Sequence, residues 1–311
     1  MMGVIMSDFE ELLHTKVNEC EDIIIGFLPE ETGYQSKVIE AMNYSVKVGG
    51  KRLRPMLMRE FYRLLGGDND QLIAPFMAAI EMIHTYSLVH DDLPAMDNDE
   101  YRRGKKTTHV VYGPGMATLA GDGLLNYAFE TALKTYPYAK NLEKANGEIE
   151  DRFIYALNIL ATKAGIYGMV GGQCADIEGE GKQTLTEDEI LFIHENKTAA
   201  LIESSMMIGA VLAGADQKAI EAIKQIGSNV GIAFQIQDDI LDVVGDQAVI
   251  GKPVGSDEKN EKVTYVTLHG LDNSRKKVER LSNEAVELVK SLGEDNEFLV
   301  ELIEYLISRN K

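Results

Sequence analysis

The sequence predicts an all-α protein, on three observations. Its seven prolines in 311 residues fall mostly at breaks in helical periodicity, at Pro29, Pro55, Pro94, Pro114, Pro137 and Pro253. Ser7–Glu10 and Thr186–Glu189 fit the S/T-x-x-E capping box, whose two side chains satisfy free N–H groups at a helix start. Long stretches carry apolar residues at helical spacing, and no series of short alternating runs with hairpin turns argues for sheet.

In chain order, helices are expected over about 7–27, 34–48, 53–65, 71–92, 116–135, 148–170, 187–213, 216–244, 272–292 and 296–309. The first opens on its capping box and ends before Pro29. The second stops at Gly49–Gly50. The fourth is apolar through EMIHTYSLVH and ends at Asp91–Asp92, with Pro94 beyond. PYAKNLEKANG, 137–147, reads as a surface loop between the fifth and sixth. The seventh carries Ile190, Ile193, Leu201, Ile202 and Ile208; the eighth carries Ile220, Ile223, Ile226, Val230 and Phe234. No repeat of fixed period and no low-complexity linker interrupts the chain.

The net charge of −19, from 31 basic and 50 acidic residues, argues against a nucleic-acid or anionic-membrane partner, since both need a basic face. Cys20 and Cys174 form no CxxC pair, which excludes a zinc ribbon and a disulfide scaffold. The start of the chain lacks the basic n-region of a signal peptide, and no uninterrupted apolar run approaches a membrane span, so a soluble cytoplasmic protein is expected.

Chemistry concentrates in two acidic clusters. HDDLPAMDND, 90–99, followed by Glu100, places five acids in residues 91–100; QDDILD, 237–242, is followed by Asp246. Such runs are usually solvated faces. Here Asp91 and Asp92 end an apolar helix, and Asp238, Asp239 and Asp242 sit inside AFQIQDDILDVV. Carboxylates gathered in apolar surroundings are costly unless cations balance them. Asp238 and Asp242 are i and i+4 and share a helix face. Asp91 and Asp97 would diverge on a straight helix, but Pro94 lets the chain fold Asp97 back. Oxygen donors without a histidine or thiol cluster favour Mg²⁺ over zinc, and Mg²⁺ held by few carboxylates keeps waters and phosphate oxygens as its other ligands. An EF-hand from Asp97 fails, with Arg102 at its sixth position and Thr108 at its twelfth.

Positive groups stand beside the acids. Arg102 and Arg103 follow the first cluster, and GGKRLRP, 49–55, supplies Lys51, Arg52 and Arg54; it is not a Walker loop, having Ser45 and Arg52 where Gly and Ser/Thr are required. His84 lies two turns before Asp91. Lys197 and Thr198 fall mid-helix among apolar residues, Gln235 shares a face with Asp238 and Asp242, and Lys252 follows the second cluster in a Gly/Pro-bounded loop.

GGKRLRP, HDDLPAMDNDEYRRG, GGQCADIE, HENKTAALI and FQIQDDILDVVGD, in this order, resemble the trans-isoprenyl diphosphate synthase family, with the bacterial farnesyl diphosphate type of pattern, from about residue 35 to the C-terminus. The resemblance implies an isoprenoid synthase-type bundle of about ten or more helices around a central cavity, formed by one polyprenyl synthetase domain over 1–311 and assembled as a homodimer. It implies Mg²⁺, about three ions per active site, held by Asp91, Asp97 and Asp238, with Asp92, Asp239 and Asp242 supporting. Lys51, Arg54, His84 and Arg103 would bind isopentenyl diphosphate. Arg102, Lys197 and Lys252 would bind the allylic diphosphate, with Thr198 and Gln235 lining the reacting carbons; Lys197, Thr198 and Gln235 are thus the expected catalytic set, and Gln173 and Asp176 back it. Tyr86, with Ser87, would set product length, and Pro94–Ala95 matches the bacterial insertion. The implied reaction is head-to-tail (1′-4) condensation to farnesyl diphosphate. Its alternatives are a geranylgeranyl diphosphate synthase and a non-catalytic subunit of a heteromeric prenyl synthase, which tends to lose the acidic motifs. VTYVTLHG, 263–270, departs from relatives, which often carry proline after the tyrosine.

Overall fold

The computed structural model describes residues 7–146, 148–180, 182, 184–244 and 263–308. It is all-α apart from one two-stranded hairpin among these residues. The first four helices are α1 (Asp8–Gly26), α2 (Ser36–Lys47), α3 (Leu53–Leu64) and α4 (Asp70–Asp91). The hairpin β1 (Tyr101–Arg102) and β2 (Lys105–Lys106) pairs antiparallel, Tyr101 with Lys106 and Arg102 with Lys105. There follow α5 (Thr108–Tyr112), α6 (Pro114–Leu133), α7 (Tyr136–Asn146), α8 (Ile149–Ala164), α9 (Met169–Gly179) and α10 (Glu187–Ile193). A π-helical segment, His194–Ala199, joins α10 to α11 (Ala200–Ala213); α12 (Gln217–Val244), α13 (Tyr265–His269), α14 (Leu271–Leu292) and α15 (Glu297–Ser308) complete the order.

Both expected capping boxes form, at Ser7/Glu10 and Thr186/Glu189. Two expectations need correction, and one short element is added. The stretch 137–147 is not a loop: Tyr136–Asn146 is helix, and Pro137 sits in its first turn, where a missing N–H costs nothing. The helix expected over 148–170 ends at Ala164, and a turn at 165–168 separates it from α9. Residues 101–106 form a hairpin too short to show alternation, closed by Arg103 and Gly104, both at positive φ (53° and 74°) as a tight hairpin turn requires.

The core is built on helices buried around their whole circumference. In α11 every residue from Ala200 to Leu212 is buried, and the helix packs on α3, α4, α8 and α12. Among the described residues, two stretches reach the length and hydropathy of a membrane span. One is α4, whose apolar window is 78% buried inside the fold, as befits a core helix; the other, Ile149–Gly179, is 39% buried and is interrupted by the turn at 165–168.

The π segment is locked by two close approaches. A Cβ on Gly172 of α9 would stand 2.1 Å from the Lys197 backbone nitrogen, and one on Gly231 of α12 would stand 2.2 Å from the Ala199 Cβ. Both neighbours therefore reach the widened turn only as glycines.

Candidate active site

The C-terminal end of α4 carries the first acidic motif. Past Asp91 the chain turns through Pro94, and the Asp97 amide donates to the Asp91 carbonyl at 2.8 Å, closing the fold-back expected from the proline. Asn98, at φ 54°, completes the turn with its amide on the Leu93 carbonyl at 3.1 Å. Burial, with the nearby Asp97 carboxylate adding to it and Lys197 opposing it, pushes Asp91 up to about 6. A carboxylate held above its ordinary range by desolvation and a second carboxylate is what a cation would relieve. Among the described residues no three His, Cys, Asp or Glu side chains converge as a closed metal cage. An open, oxygen-only pair fits Mg²⁺, which takes remaining ligands from water and phosphate, and does not fit a structural zinc site.

Asp92 is buried and does a different job. Arg102, on β1, donates to both its oxygens, Nε at 2.8 and 3.0 Å and Nη2 at 2.6 Å. This bidentate bond ties the hairpin to the end of α4. Burial raises Asp92, and Arg102 counters it.

Three of the four basic residues singled out for a second diphosphate come together. Arg54, His84 and Arg103 lie within each other's electrostatic reach: burial and then neighbouring guanidiniums push His84 well below its ordinary value, and burial lowers Arg54 to about 10. Arg103 is lowered chiefly by burial, and its Nη1 donates to the Gly49 carbonyl. A neutral imidazole between guanidiniums leaves positive charge gathered at this point of the fold, and Lys51, of the same motif as Arg54, is exposed. Arg52 of the same motif is not part of it. It is 2% exposed, sits at φ 45°, and is bound by Glu21 of α1, Glu81 of α4 (2.7 Å) and the Val46 carbonyl (2.6 Å). Sequence reasoning does not find Glu21 and Glu81, because neither spacing nor residue type marks a distant ion-pair partner.

Lys197 and Thr198 lie side by side on the π segment. Lys197 Nζ is 2.5 Å from Oδ2 of buried Asp176, and the same lysine acts electrostatically on Asp91. Thr198 Oγ1 donates to Gln235 Oε1 at 2.8 Å, three residues before Asp238. Gln173, on the same helix as Asp176, is half-buried. One turn of chain thus faces both acidic motifs. Asp238 and Asp242 are half-buried, whereas Asp239 is buried and receives the Tyr265 amide at 3.2 Å. Lys252 and Asp246 lie outside the described residues.

Tyr86, one turn before His90, is 6% exposed and meets that ring edge-on at 5.8 Å between centroids. Burial and the Asp91 charge raise its phenol to about 12. Ser87 is half-buried, its hydroxyl on the His84 carbonyl at 2.9 Å. Val266 explains the departure at 263–270: it lies in the first turn of α13, where a residue with or without an N–H serves equally.

The chain matches known proteins along nearly its whole length. A farnesyl diphosphate synthase of Micrococcus luteus is 46% identical over 278 residues, covering 89% of this chain and 91% of that protein. The farnesyl diphosphate synthase of Escherichia coli (strain K12) is 41% identical over 310 residues, 98% and 100% of the two chains. Among solved structures, a Helicobacter pylori geranyltransferase complexed with magnesium and isoprenyl diphosphate superposes with a TM-score of 0.78 at 30% identity, covering 98% of each chain. The polyprenyl synthetase family matches residues 35–303, and with both acidic motifs, the basic set and the helical bundle in place this chain belongs to that family.

Proposed function

We propose that the protein is a farnesyl diphosphate synthase, a short-chain trans-prenyltransferase joining isopentenyl diphosphate to dimethylallyl and then geranyl diphosphate. The observation that supports it best is the π segment, where Lys197 acts on the first acidic motif while its neighbour Thr198 bonds Gln235 beside the second. Two clusters distant in sequence then serve one substrate, which also supports a single domain over 1–311.

Mg²⁺, taken as about three ions held by Asp91, Asp97 and Asp238, would neutralise the leaving diphosphate. Around it the chain supplies charge and position. Arg102, Lys197 and Lys252 hold the allylic diphosphate as its C–O bond lengthens. Lys51, Arg54, His84 and Arg103 hold the second diphosphate so that its double bond faces the allylic carbon, an arrangement worth several kcal/mol in lost freedom alone. Thr198 and Gln235 present oxygen dipoles to the positive carbon. Closure around the substrates must exclude water, which would otherwise quench the cation to an alcohol. Arg102 approaches this work through Asp92, which orients it, so Asp92 supports the site without needing to touch the cation.

The reading implies no nucleic-acid partner, and we take the protein as a cytoplasmic homodimer. Exposed Leu119 and Leu133 on α6 and Ile154 and Tyr155 on α8 are apolar surface of the kind a second copy covers. Incubation with isopentenyl diphosphate, each allylic starter and Mg²⁺, with the product identified by chromatography, tests the function. A fifteen-carbon diphosphate is expected; a twenty-carbon product would make it a geranylgeranyl diphosphate synthase, and no product would make it a non-catalytic subunit.

Product length is assigned to Tyr86, about 7–8 Å along α4 from Asp91 at 1.5 Å per residue. Tyr86→Ala is expected to shift the main product beyond fifteen carbons, as its ring no longer blocks the growing tail. An unchanged product profile would leave Tyr86 an ordinary core residue.

A further inference from the structure

Asp239 stands in the middle of the second acidic motif, yet it is 6% exposed while its neighbours Asp238 and Asp242 are half-buried. Among the described residues, three contacts reach it from inside the fold. The Tyr265 amide donates to Oδ2 at 3.2 Å, His194 Nε2 lies 3.7 Å from the same oxygen, and Gln235 Nε2 lies 3.5 Å from Oδ1. Tyr265 is itself held, its hydroxyl donating to Glu187 Oε1 at 3.3 Å. His194 opens the π segment that carries Thr198 four residues later, so one short stretch of chain reaches both Asp239 and the far side of Gln235.

An ionised carboxylate only accepts hydrogen bonds. The nitrogen of the Gln235 amide must therefore face Asp239, and its oxygen must face the other way. There Oε1 accepts from Thr198 Oγ1 at 2.8 Å. A hydroxyl has a single proton, and this one is committed to Gln235, so the lone pairs of Thr198, a half-buried residue, face away from Gln235. Reverse the amide, and the Thr198 proton is released to point outward.

Building on prenyl transfer as the reaction, we propose that Asp239 is a positioning residue and not a metal ligand: it sets the direction of the Asp239–Gln235–Thr198 chain so that Thr198 offers an oxygen, not a proton, to the developing allylic cation. Each bond in the chain polarises the next in the same sense, so charge on the buried carboxylate is felt at the Thr198 oxygen. The benefit is confined to the cationic transition state, because the neutral hydrocarbon of the bound substrate has little interaction with a hydroxyl dipole.

Asp239→Asn tests this with almost no change of shape. The new amide places a donor where Oδ1 stood, which turns Gln235 around. The kcat is expected to fall about 10- to 100-fold with KM for both substrates within about twofold. The Mg²⁺ concentration at half-maximal rate, and the rise in melting temperature on adding Mg²⁺ with inorganic pyrophosphate, are expected to stay as in the unaltered protein. Adding Gln235→Glu to Asp239→Asn restores an acceptor beside Thr198 and a donor behind it. The double variant is expected to regain about tenfold in kcat over Asp239→Asn, while Gln235→Glu alone sets two carboxylates side by side and stays slow. A double variant no faster than Asp239→Asn would overturn the proposal. So would a Mg²⁺ requirement raised about tenfold in Asp239→Asn, the behaviour of a direct ligand. An unaltered protein that condenses nothing would overturn the prenyl-transfer reading, and with it this one; an active protein in which rescue fails overturns this one alone.

Discussion

Asp91→Asn is expected to lose about a thousandfold or more of the condensation rate and, when metal-free, to melt at a higher temperature than the unaltered protein. The two effects share one cause. Burial and Asp97 hold the Asp91 carboxyl at about 6 against an ordinary 3.8, so at neutral pH the fold carries an ionised group it disfavours. At about 1.4 kcal/mol per pH unit of displacement, this cost is at most about 3 kcal/mol, and an amide of the same shape removes it. For a chain of this size that corresponds to about 3–6 °C. A carboxyl raised in the folded state favours folding when protonated, so this group's contribution improves as pH falls through about 6 towards 3.8. The margin by which Asp91→Asn out-melts the unaltered protein is therefore expected to be full at about pH 7–8 and to vanish near pH 4. Melting curves across that range, with chelator present, check it; equal melting temperatures at about pH 8 would sink the account. Mg²⁺ with pyrophosphate should reverse the order, since only the protein with Asp91 intact binds the ion fully.

Arg52→Ala is expected to be the most destabilising single change in the basic motif, by about 3–5 kcal/mol, because it strands a carboxylate in the interior. Glu81 is 2% exposed and faces Arg52 at 2.7 Å, while Glu21 bonds the same guanidinium from α1. Arg54 is held below its ordinary value chiefly by burial, with Glu81 and Arg103 acting on it in opposite senses, so Arg54→Ala is expected to weaken isopentenyl diphosphate binding with a smaller loss of stability. Denaturant unfolding of both variants separates the two arginines. The coupling is testable as well: Arg52→Ala combined with Glu81→Ala should cost less than the sum of the single changes, since the second substitution removes the stranded charge. Strict additivity would mean that the pair does not interact.

The helical architecture is legible in the sequence because its signals are local. Capping boxes at Ser7 and Thr186, proline at the breaks and apolar periodicity along the long helices each need only a few neighbouring residues. The acidic motifs and the Asp97 fold-back are legible for the same reason, Pro94 being the cause written in the sequence. Tyr136–Asn146 escapes a sequence reading because it is polar and has a proline as its second residue, which looks like a loop unless the proline is placed in the first turn. The turn at 165–168 escapes it because the chain stays apolar across it. Beyond local reach lies the division of labour between adjacent, identical residue types. Asp91 and Asp92 differ because Arg102, on the first strand of the hairpin, claims only one of them in a hydrogen bond. Arg52 and Arg54 differ because Glu21 and Glu81 wait on other helices. Such partners are known only once the chain is folded.

The π segment at His194–Ala199 is in effect a one-residue insertion preserved inside an otherwise regular rod. An extra residue advances the phase of everything beyond it by about 100°, one residue's share of a helical turn. The buried face of α10 and the packing surfaces of α11 are therefore in different frames, and each is correct for its own neighbours. Shortening this stretch by one residue would not trim a bulge; it would rotate one whole helix against its surroundings. Length at this point of the chain is consequently as constrained as any side chain in the site, and a sequence alignment that places a gap there has mistaken geometry for slack.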